Sequence, residues 1–223
     1  MSDSICIAKP KHLIVVITAM TPSENLLPAD GSAYLFSHLL KMKKEEFFRS
    51  LFEEVVWKQD EVVMFGKRLL LRRLSAWYGD EPFEYTYSQV SRQALPWTET
   101  IAEIKSQVEK ISGETFNSCL LNFYHDGADS MGWHSDDEPE LDPTASIASV
   151  SLGAQRKFSF KHKRSKETLS TFLENGSLLL MKPPTQENWL HTLRKSKKVS
   201  DGRINLTFRR YKTDEKSTSL EWI

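Results

Sequence analysis

The sequence of 223 residues predicts an α+β fold in which two helices near the N-terminus pack against a β-sandwich or barrel. Apolar residues recur at helical spacing in two segments before residue 115, and no long helical pattern returns after it. The second half instead contains short strand-like runs separated by loops. A chain of this length is sufficient for one well-packed domain and too short for two of ordinary size.

The composition excludes several classes of protein. The formal net charge is zero, so the whole chain is not a strongly cationic nucleic-acid binder, although local basic clusters are present. Cys6 and Cys119 are too few for a disulfide framework and fit a reducing intracellular compartment. The longest apolar run, residues 13–20, is far below the roughly 20 residues that span a bilayer, so we expect no membrane span.

The first half of the chain begins with residues 1–30, which we interpret as an N-terminal arm. Residues 33–40, AYLFSHLL, predict a buried strand. In residues 44–56, apolar side chains recur at helical spacing opposite acidic ones, which predicts an amphipathic helix whose phenylalanines lie in the core. A second helix is predicted from Thr98, a suitable N-cap, to Gly113.

Strands are predicted for most of the remaining sequence. Between residues 62 and 89, short β-prone runs alternate with turn signals and predict hairpins. Five later runs are predicted strands: FNSCLLNFY (116–124), SIASVSLG (146–153), RKFSFKH (156–162), GSLLLMK (176–182) and RINLTFRRY (203–211). The polar residues 213–223 are predicted to form a C-terminal tail.

GWHSDDEP, residues 132–139, contains a candidate metal site. On a β-strand, residues i and i+2 point to the same side, so His134 and Asp136 can direct an imidazole and a carboxylate at one point. His191 in WLHTL is a candidate third ligand. Two histidines and one carboxylate on one face of a metal leave other positions open, as in non-haem Fe(II) oxygenases. The tripeptide alone is weak evidence, because polar turns beside a sheet often contain one.

The run RINLTFR alternates strictly between polar and apolar residues. Arg203, Asn205, Thr207 and Arg209 share one face, and three apolar residues share the other. Two arginines that flank Asn and Thr make a good receptor for a dicarboxylate, because guanidinium pairs bidentately with carboxylate. An exposed edge strand would show the same alternation, so the run by itself leaves both interpretations open.

These separated motifs together resemble the AlkB-type family of Fe(II)- and 2-oxoglutarate-dependent dioxygenases. They are HSD at 134–136, His191 and R-x-N-x-T-x-R at 203–209. Residues 122–158 resemble the central block of that family, specifically its animal DNA- and RNA-repair branch. The resemblance extends from about Ala33 to Tyr211 and is strongest after residue 115.

The resemblance implies a double-stranded β-helix, or jelly roll, over residues 31–212, with a nucleotide-recognition lid formed by hairpins at about 57–92. It also implies that three residues bind Fe(II): His134, Asp136 and His191. By the same resemblance, Arg203 and Arg209 bind the two carboxylates of 2-oxoglutarate. Three further residues match positions that hydrogen-bond this cosubstrate: Asn122, Tyr124 and Asn205.

The implied reaction is oxidative demethylation of nucleobases in DNA. It converts 2-oxoglutarate and O2 to succinate and CO2, and it releases the methyl group of 1-methyladenine or 3-methylcytosine as formaldehyde. The methylated edge is inaccessible in a duplex, so the enzyme must flip the nucleotide out at a cost of about a few kcal/mol.

Five residues are candidates for contacts with the flipped base. Tyr85 and Tyr87, on one face of FEYTYS, resemble lid aromatics that stack on the base. Asp137 matches a family carboxylate that contacts the exocyclic amino group, and Glu138 is a weaker candidate of the same kind. Phe65 matches an apolar finger that fills the gap left in a duplex. From pattern alone, each could instead be an ordinary core or loop residue.

Basic residues in two segments are candidates for phosphate contacts, although such runs are also common on solvated faces. One hairpin carries Arg156, Lys157, Lys161, His162, Lys163, Arg164 and Lys166, and the loop after His191 carries Arg194, Lys195, Lys197 and Lys198. Arg72 and Arg73 are further candidates.

The substrate stays partly open at the level of sequence. VVMFGKR, residues 62–68, resembles the duplex-preferring branch, whereas residues 57–59 and 75–79 resemble the branch active on single strands and RNA. DNA with alkylated bases is the expected partner, and RNA is the alternative. A catalytically inactive nucleic-acid-binding relative is a third hypothesis, against which the intact ligand set argues. We expect a monomer without membrane contact, cytoplasmic in a prokaryote and nuclear in a eukaryote.

Overall fold

A computed structural model of the protein describes residues 22–40, 42–64, 67–87 and 90–213. For residues 60–64, 67–69, 84–87 and 90–92 the description covers the course of the backbone and not the side chains.

Two antiparallel β-sheets face each other. The larger has seven strands, in spatial order β1 (Ser32–Phe36), β11 (Ser177–Lys182), β8 (Ile147–Gly153), β13 (Arg203–Arg209), β6 (Ser118–Tyr124), β3 (Lys67–Gly79) and β2 (Lys58–Met64). The smaller has four, in the order β10 (Thr168–Leu173), β9 (Arg156–His162), β12 (Trp189–Leu193) and β7 (Met131–His134). A separate hairpin pairs β4 (Glu84–Tyr87) with β5 (Val90–Gln93). This arrangement confirms the predicted α+β class and is that of a double-stranded β-helix.

The helices cover the outer face of the larger sheet. They are α1 (Lys44–Glu54) and α2 (Glu99–Ser112), whereas α3 (Thr185–Asn188) is a single turn before β12. Apolar side chains of α1 and α2 form one core with Ile204, Leu206 and Phe208 of β13. No helix in the described part of the chain is long and apolar enough to cross a membrane.

A second core fills the space between the sheets. Its large members include Trp77, Tyr124, Phe158, Phe160, Trp189 and Tyr211. The larger sheet is therefore covered on both faces, and β13, fourth of its seven strands, is central. The interpretation of RINLTFR as an exposed edge strand is wrong, and its polar face points into the sandwich.

Several elements differ from the sequence prediction. The strand predicted at 33–40 ends at Phe36 and continues as a turn, because the chain leaves the sheet there to reach α1. Phe52, predicted to be in the core, is 50% exposed, although its ring meets Phe123 edge-on at 5.2 Å. Strands β10 and β12 were not predicted, and the strand expected to carry both His134 and Asp136 ends at His134.

The ends of α2 follow local signals that the sequence prediction used. Thr98 caps the helix by accepting a hydrogen bond from Ile101 N at 3.3 Å, and its hydroxyl donates to Glu54 Oε1 of α1 at 2.6 Å. At the other end Gly113 has a φ of 73°, in the left-handed region where glycine carries no penalty.

We expect Thr98→Ala to lower the free energy of unfolding by about 1 kcal/mol, because it removes the cap and the link to α1. Urea denaturation monitored by circular dichroism measures this change as a shift of the midpoint at constant slope. Thr98→Ser keeps the hydroxyl and is the matched control. Equal midpoints for the alanine variant and the parent protein would contradict the capping role.

Candidate active site

His134, Asp136 and His191 come together between the two sheets. One ligand atom from each lies within 4.8 Å of the others. His134 is the last residue of β7 and pairs directly with His191 of β12. Asp136 lies two residues beyond the end of β7, not on a strand as predicted, and its backbone N–H donates to Gln186 Oε1 at 3.0 Å. The loop after β7, held by Gln186, thus places the carboxylate.

The two imidazoles are oriented for a shared ligand. His134 Nδ1 donates to the Gly132 carbonyl oxygen at 2.9 Å, so Nε2 is the ring nitrogen available to a metal. His191 Nε2 lies 3.8 Å from Asp136 Oδ2. Burial lowers the pKa of His191 to about 3, so this imidazole is neutral at physiological pH. Neutral imidazole is the form that binds a metal.

Asp136 is buried and ionised. Burial by itself would raise the pKa of this carboxyl, but the positive charge of Arg209, together with the neighbouring His191 and His134, outweighs burial and the pKa lies below its ordinary value. Arg209 Nη2 donates to Asp136 Oδ1, and Arg209 Nη1 lies 3.5 Å from Glu138 Oε1. For Glu138, by contrast, burial dominates and raises the pKa. Of the two carboxyls, the one nearest the histidines is therefore the one whose pKa is lowered.

This donor set fits Fe(II). It consists of two imidazole nitrogens and one carboxylate oxygen, the set that non-haem Fe(II) oxygenases use. Among the residues that the structure describes, it is the one cluster of three or more such side chains that could hold a metal ion. The closeness of these three ligand atoms therefore supports the metal site predicted from GWHSDDEP.

Arg203 supplies a buried positive charge at the other end of β13. It is 1% exposed, and its Nη2 donates to Ser151 Oγ at 2.8 Å and Asn205 Oδ1 at 3.3 Å. Its Nε and Nη1 are buried without a hydrogen-bond partner among the described residues. Burial lowers the pKa of Arg203 to about 10, which still leaves it protonated at neutral pH. A buried guanidinium with unpaired N–H groups fits a carboxylate.

The other predicted cosubstrate residues lie around the cavity that His134, Asp136 and His191 line between the sheets. Asn122, Tyr124 and Asn205 line it. The Asn205 amide nitrogen already donates to Ser149 Oγ and Val150 O, both at 3.1 Å, so this side chain holds β13 against β8. Tyr124 packs its ring 5.4 Å from the Arg203 guanidinium.

Arg73, predicted to contact phosphate, points one of its N–H groups at a residue of the cavity. Its Nε donates to Asn122 Oδ1 at 3.2 Å, so it supports a cavity-lining residue. Arg72, also a candidate for phosphate, is paired with Asp126 at 3.0 Å and with Asp129 at 3.6 Å. The carboxylates of the loop between β6 and β7 thus neutralise Arg72.

The residues predicted to contact the base are described only in part. The Asp137 side chain is 63% exposed, accepts a hydrogen bond from Ser135 Oγ at 2.9 Å and lies 3.5 Å from Lys163 Nζ. Glu138 Oε2 is buried without a partner among the described residues. Phe65 lies outside the described residues, and so do the side chains of Tyr85 and Tyr87, whose backbone forms part of β4.

One basic cluster differs from the prediction. Arg156 is 1% exposed and donates to the backbone carbonyls of Asp126, Asp129 and Arg194. Arg156, the first residue of β9, thus links that strand to the loop before β7 and to the loop after β12. The prediction that Arg156 contacts phosphate is wrong. His162 is also buried, 3.2 Å from Asp30. Exposed cations remain on both segments: Lys157, Arg164, Lys166, Arg194, Lys195, Lys197 and Lys198.

Sequence reasoning missed Gln186, which holds the Asp136 loop, and Ser151, which holds Arg203. For Ser151 a signal existed, because Ser149 and Ser151 alternate with apolar residues in SIASVSLG and so share one face of a buried strand. For Gln186, one glutamine in a loop gives no such pattern.

Comparisons with known proteins agree with this geometry. A sequence model of the 2OG-Fe(II) oxygenase superfamily matches residues 32–209. DNA oxidative demethylase ALKBH2 of Mus musculus is 39% identical over 202 residues, covering 85% of this chain and 84% of that protein. Alpha-ketoglutarate-dependent dioxygenase alkB homolog 3 of Rattus norvegicus is 38% identical over 186 residues, covering 78% and 62%. The solved structure of OsALKBH1 matches with a TM-score of 0.58 at 17% identity, covering 83% of this chain and all 100% of that one. The last likeness concerns the fold alone.

Loss of a residue that only supports a metal ligand weakens metal binding by roughly 10- to 100-fold. We expect Asp136→Asn to weaken it more than that, because this substitution removes the only anionic donor of the cluster. Calorimetric titration with Mn²⁺ measures this without any turnover. Asp142→Asn is the matched control, since Asp142 pairs with Arg210 near the surface. Parent-like Mn²⁺ affinity in Asp136→Asn would refute the ligand assignment.

Proposed function

The chain belongs to the 2OG-Fe(II) oxygenase superfamily, and on that premise we propose that it is an Fe(II)- and 2-oxoglutarate-dependent dioxygenase that demethylates alkylated bases in DNA. The observation that carries the proposal is the combination of a cluster of two histidines and one carboxylate with a buried arginine whose N–H groups lack partners. The relatives named DNA oxidative demethylase ALKBH2 support DNA as the substrate.

His134, Asp136 and His191 would hold the metal. The neutral state of His191 and the ionised state of Asp136 mean that neither residue must change its protonation to do so at neutral pH. Arg209 would keep Asp136 charged and oriented, because it occupies Oδ1 and leaves Oδ2 toward His191.

Arg203 would receive a carboxylate of 2-oxoglutarate on its unpaired Nε and Nη1. Ser151 and Asn205 fix the plane of the guanidinium, so that little conformational freedom is lost when the cosubstrate binds. Arg209 already pairs with Asp136 and Glu138, and Nε is its buried group without a partner among the described residues. Arg203 is therefore the stronger carboxylate receptor of the two.

When bound, Fe(II) with 2-oxoglutarate and O2 supplies the oxidation that turns an N-methyl group into formaldehyde, with succinate and CO2 as coproducts. The protein supplies a site closed off from water between two sheets, where His191, Asp136 and Arg203 are all buried. Asp137 and Glu138, next to Asp136 in the same loop, border a neighbouring cavity, which supports the proposal that they contact the base.

For the finer details we propose 1-methyladenine and 3-methylcytosine as lesions, because their exocyclic amino groups can donate to a carboxylate such as Asp137.

We further propose a monomer that acts in the cytoplasm of a prokaryote or the nucleus of a eukaryote. Light scattering after size exclusion tests the monomer.

The decisive experiment incubates the full chain with Fe(II), ascorbate and 2-oxoglutarate on methylated oligonucleotides of one sequence. Mass spectrometry should show loss of the methyl group from DNA, with succinate formed in step, and no loss with Asp136→Asn. Matched single-stranded DNA, duplex DNA and RNA separate the substrate classes. Demethylation of RNA alone would overturn DNA as the substrate, and succinate without demethylation would overturn nucleobases as the target.

We expect Arg203→Lys to raise the KM for 2-oxoglutarate by about 10- to 100-fold with a smaller effect on kcat, because lysine cannot pair bidentately and a hydrogen bond to a charged group contributes about 1.5–3 kcal/mol. Succinate formation at increasing 2-oxoglutarate measures it. Arg210→Lys, at the surface beside Asp142, is the matched control. An unchanged KM for 2-oxoglutarate would exclude Arg203 from the carboxylate site.

A further inference from the structure

Trp133 lies in β7 directly before His134, and two cations lie over its indole ring. Lys161 Nζ is 4.6 Å from the ring centroid, and Arg194 Cζ is 5.5 Å from it. Contacts of this kind are attractive within about 6 Å. Arg194 is exposed, and Trp133 and Lys161 are partly exposed. The ring therefore holds two positive charges together at the surface.

These three side chains lie on the outer face of the smaller sheet. Phe160 and His162 are buried, so Lys161 between them points outward. His134 lines the cavity between the sheets, so the preceding Trp133 points away from it. Because consecutive Cα atoms are about 3.8 Å apart, the group lies at the margin of the candidate active site.

The positive charge of this surface is not neutralised. Neither Lys161 nor Arg194 forms an ion pair with a residue that the structure describes. The exposed cations Lys195, Lys197 and Lys198 follow Arg194 directly.

The loop that carries these cations is fixed to the loop before β7. Ser196 N donates to Gly127 O at 2.7 Å, and Gly127 N donates to Val199 O at 2.9 Å. A Cβ atom at Gly127 would lie 1.9 Å from Ser196 O, so the contact requires glycine. The basic loop is thus anchored where it continues from Arg194.

We propose that Trp133, Lys161 and Arg194, the Trp133 platform, bind a backbone phosphate of the substrate DNA strand close to the base that enters the active site. The inference rests on the proposed function and adds a site for the strand itself. Two cations without acidic partners suit a phosphodiester, and an aromatic ring that holds them in place lowers the entropy lost on binding. The neighbouring cations of the basic loop extend the same charge along a strand.

The test measures binding of an unmethylated single-stranded oligodeoxynucleotide to the full chain by fluorescence anisotropy at several salt concentrations. We expect Lys161→Gln and Arg194→Gln each to weaken binding about three- to tenfold at low salt and to reduce the salt slope by about 0.7. Trp133→Leu keeps both charges, so we expect about two- to fivefold weaker binding with the slope unchanged.

Lys110→Gln is the matched control, because Lys110 is an exposed lysine of α2 on the opposite side of the molecule. Its binding should equal that of the parent protein. Trp133→Phe should retain part of the affinity, and thermal melting shows whether each variant is folded. If Trp133→Leu does not fold, the two glutamine variants decide.

Demethylation of methylated DNA by the parent protein separates the two proposals. If the parent demethylates DNA but Lys161→Gln and Arg194→Gln bind like Lys110→Gln, the platform is overturned and the proposed function stands. If the parent does not demethylate DNA but both variants lose binding, the platform stands without that function. Loss of binding to RNA and not to DNA would overturn DNA as its ligand.

Discussion

The ion pair between Arg209 and Asp136 is the interaction on which the candidate site depends. Both side chains are buried, and an unpaired charge at either position would cost several kcal/mol. Arg209 takes Oδ1 of the carboxylate and leaves Oδ2 toward His191, so the pair decides both the charge of Asp136 and the oxygen that stays available. Arg209 is the last residue of β13, the central strand of the larger sheet. The fold itself therefore holds the positive charge beside the Asp136 carboxylate.

The features that could be predicted from the sequence are those specified by residues close to one another in the chain. Thr98 and Gly113 bound α2 because capping depends on side chains and φ angles within one turn. The polar face of β13 follows from alternation, and its charged members Arg203 and Arg209 are where the pattern put them. The resemblance to a family then joined His134, Asp136 and His191, each a candidate ligand by residue type, into one predicted iron site.

What could not be predicted depends on residues far apart in the sequence. β7 and β12 are four and five residues long and pair with each other across 55 or more positions, so neither carries a strong pattern of its own. Asp136 is placed by Gln186, 50 residues later. Arg156 looks like a surface cation, yet three carbonyls from two loops enclose it, and those loops meet only in the folded protein.

Strand β7 carries a metal-ligand candidate on one side and an aromatic residue bearing two cations on the other. Successive residues of one edge strand therefore face two environments, the cavity between the sheets and the outer face of the smaller sheet. During divergence of a family, such a strand allows the affinity for a polymer to drift while the reactive centre is conserved. Relatives with this arrangement can therefore change their range of substrates through substitutions on the outer face of the smaller sheet, while the metal site stays active at every stage.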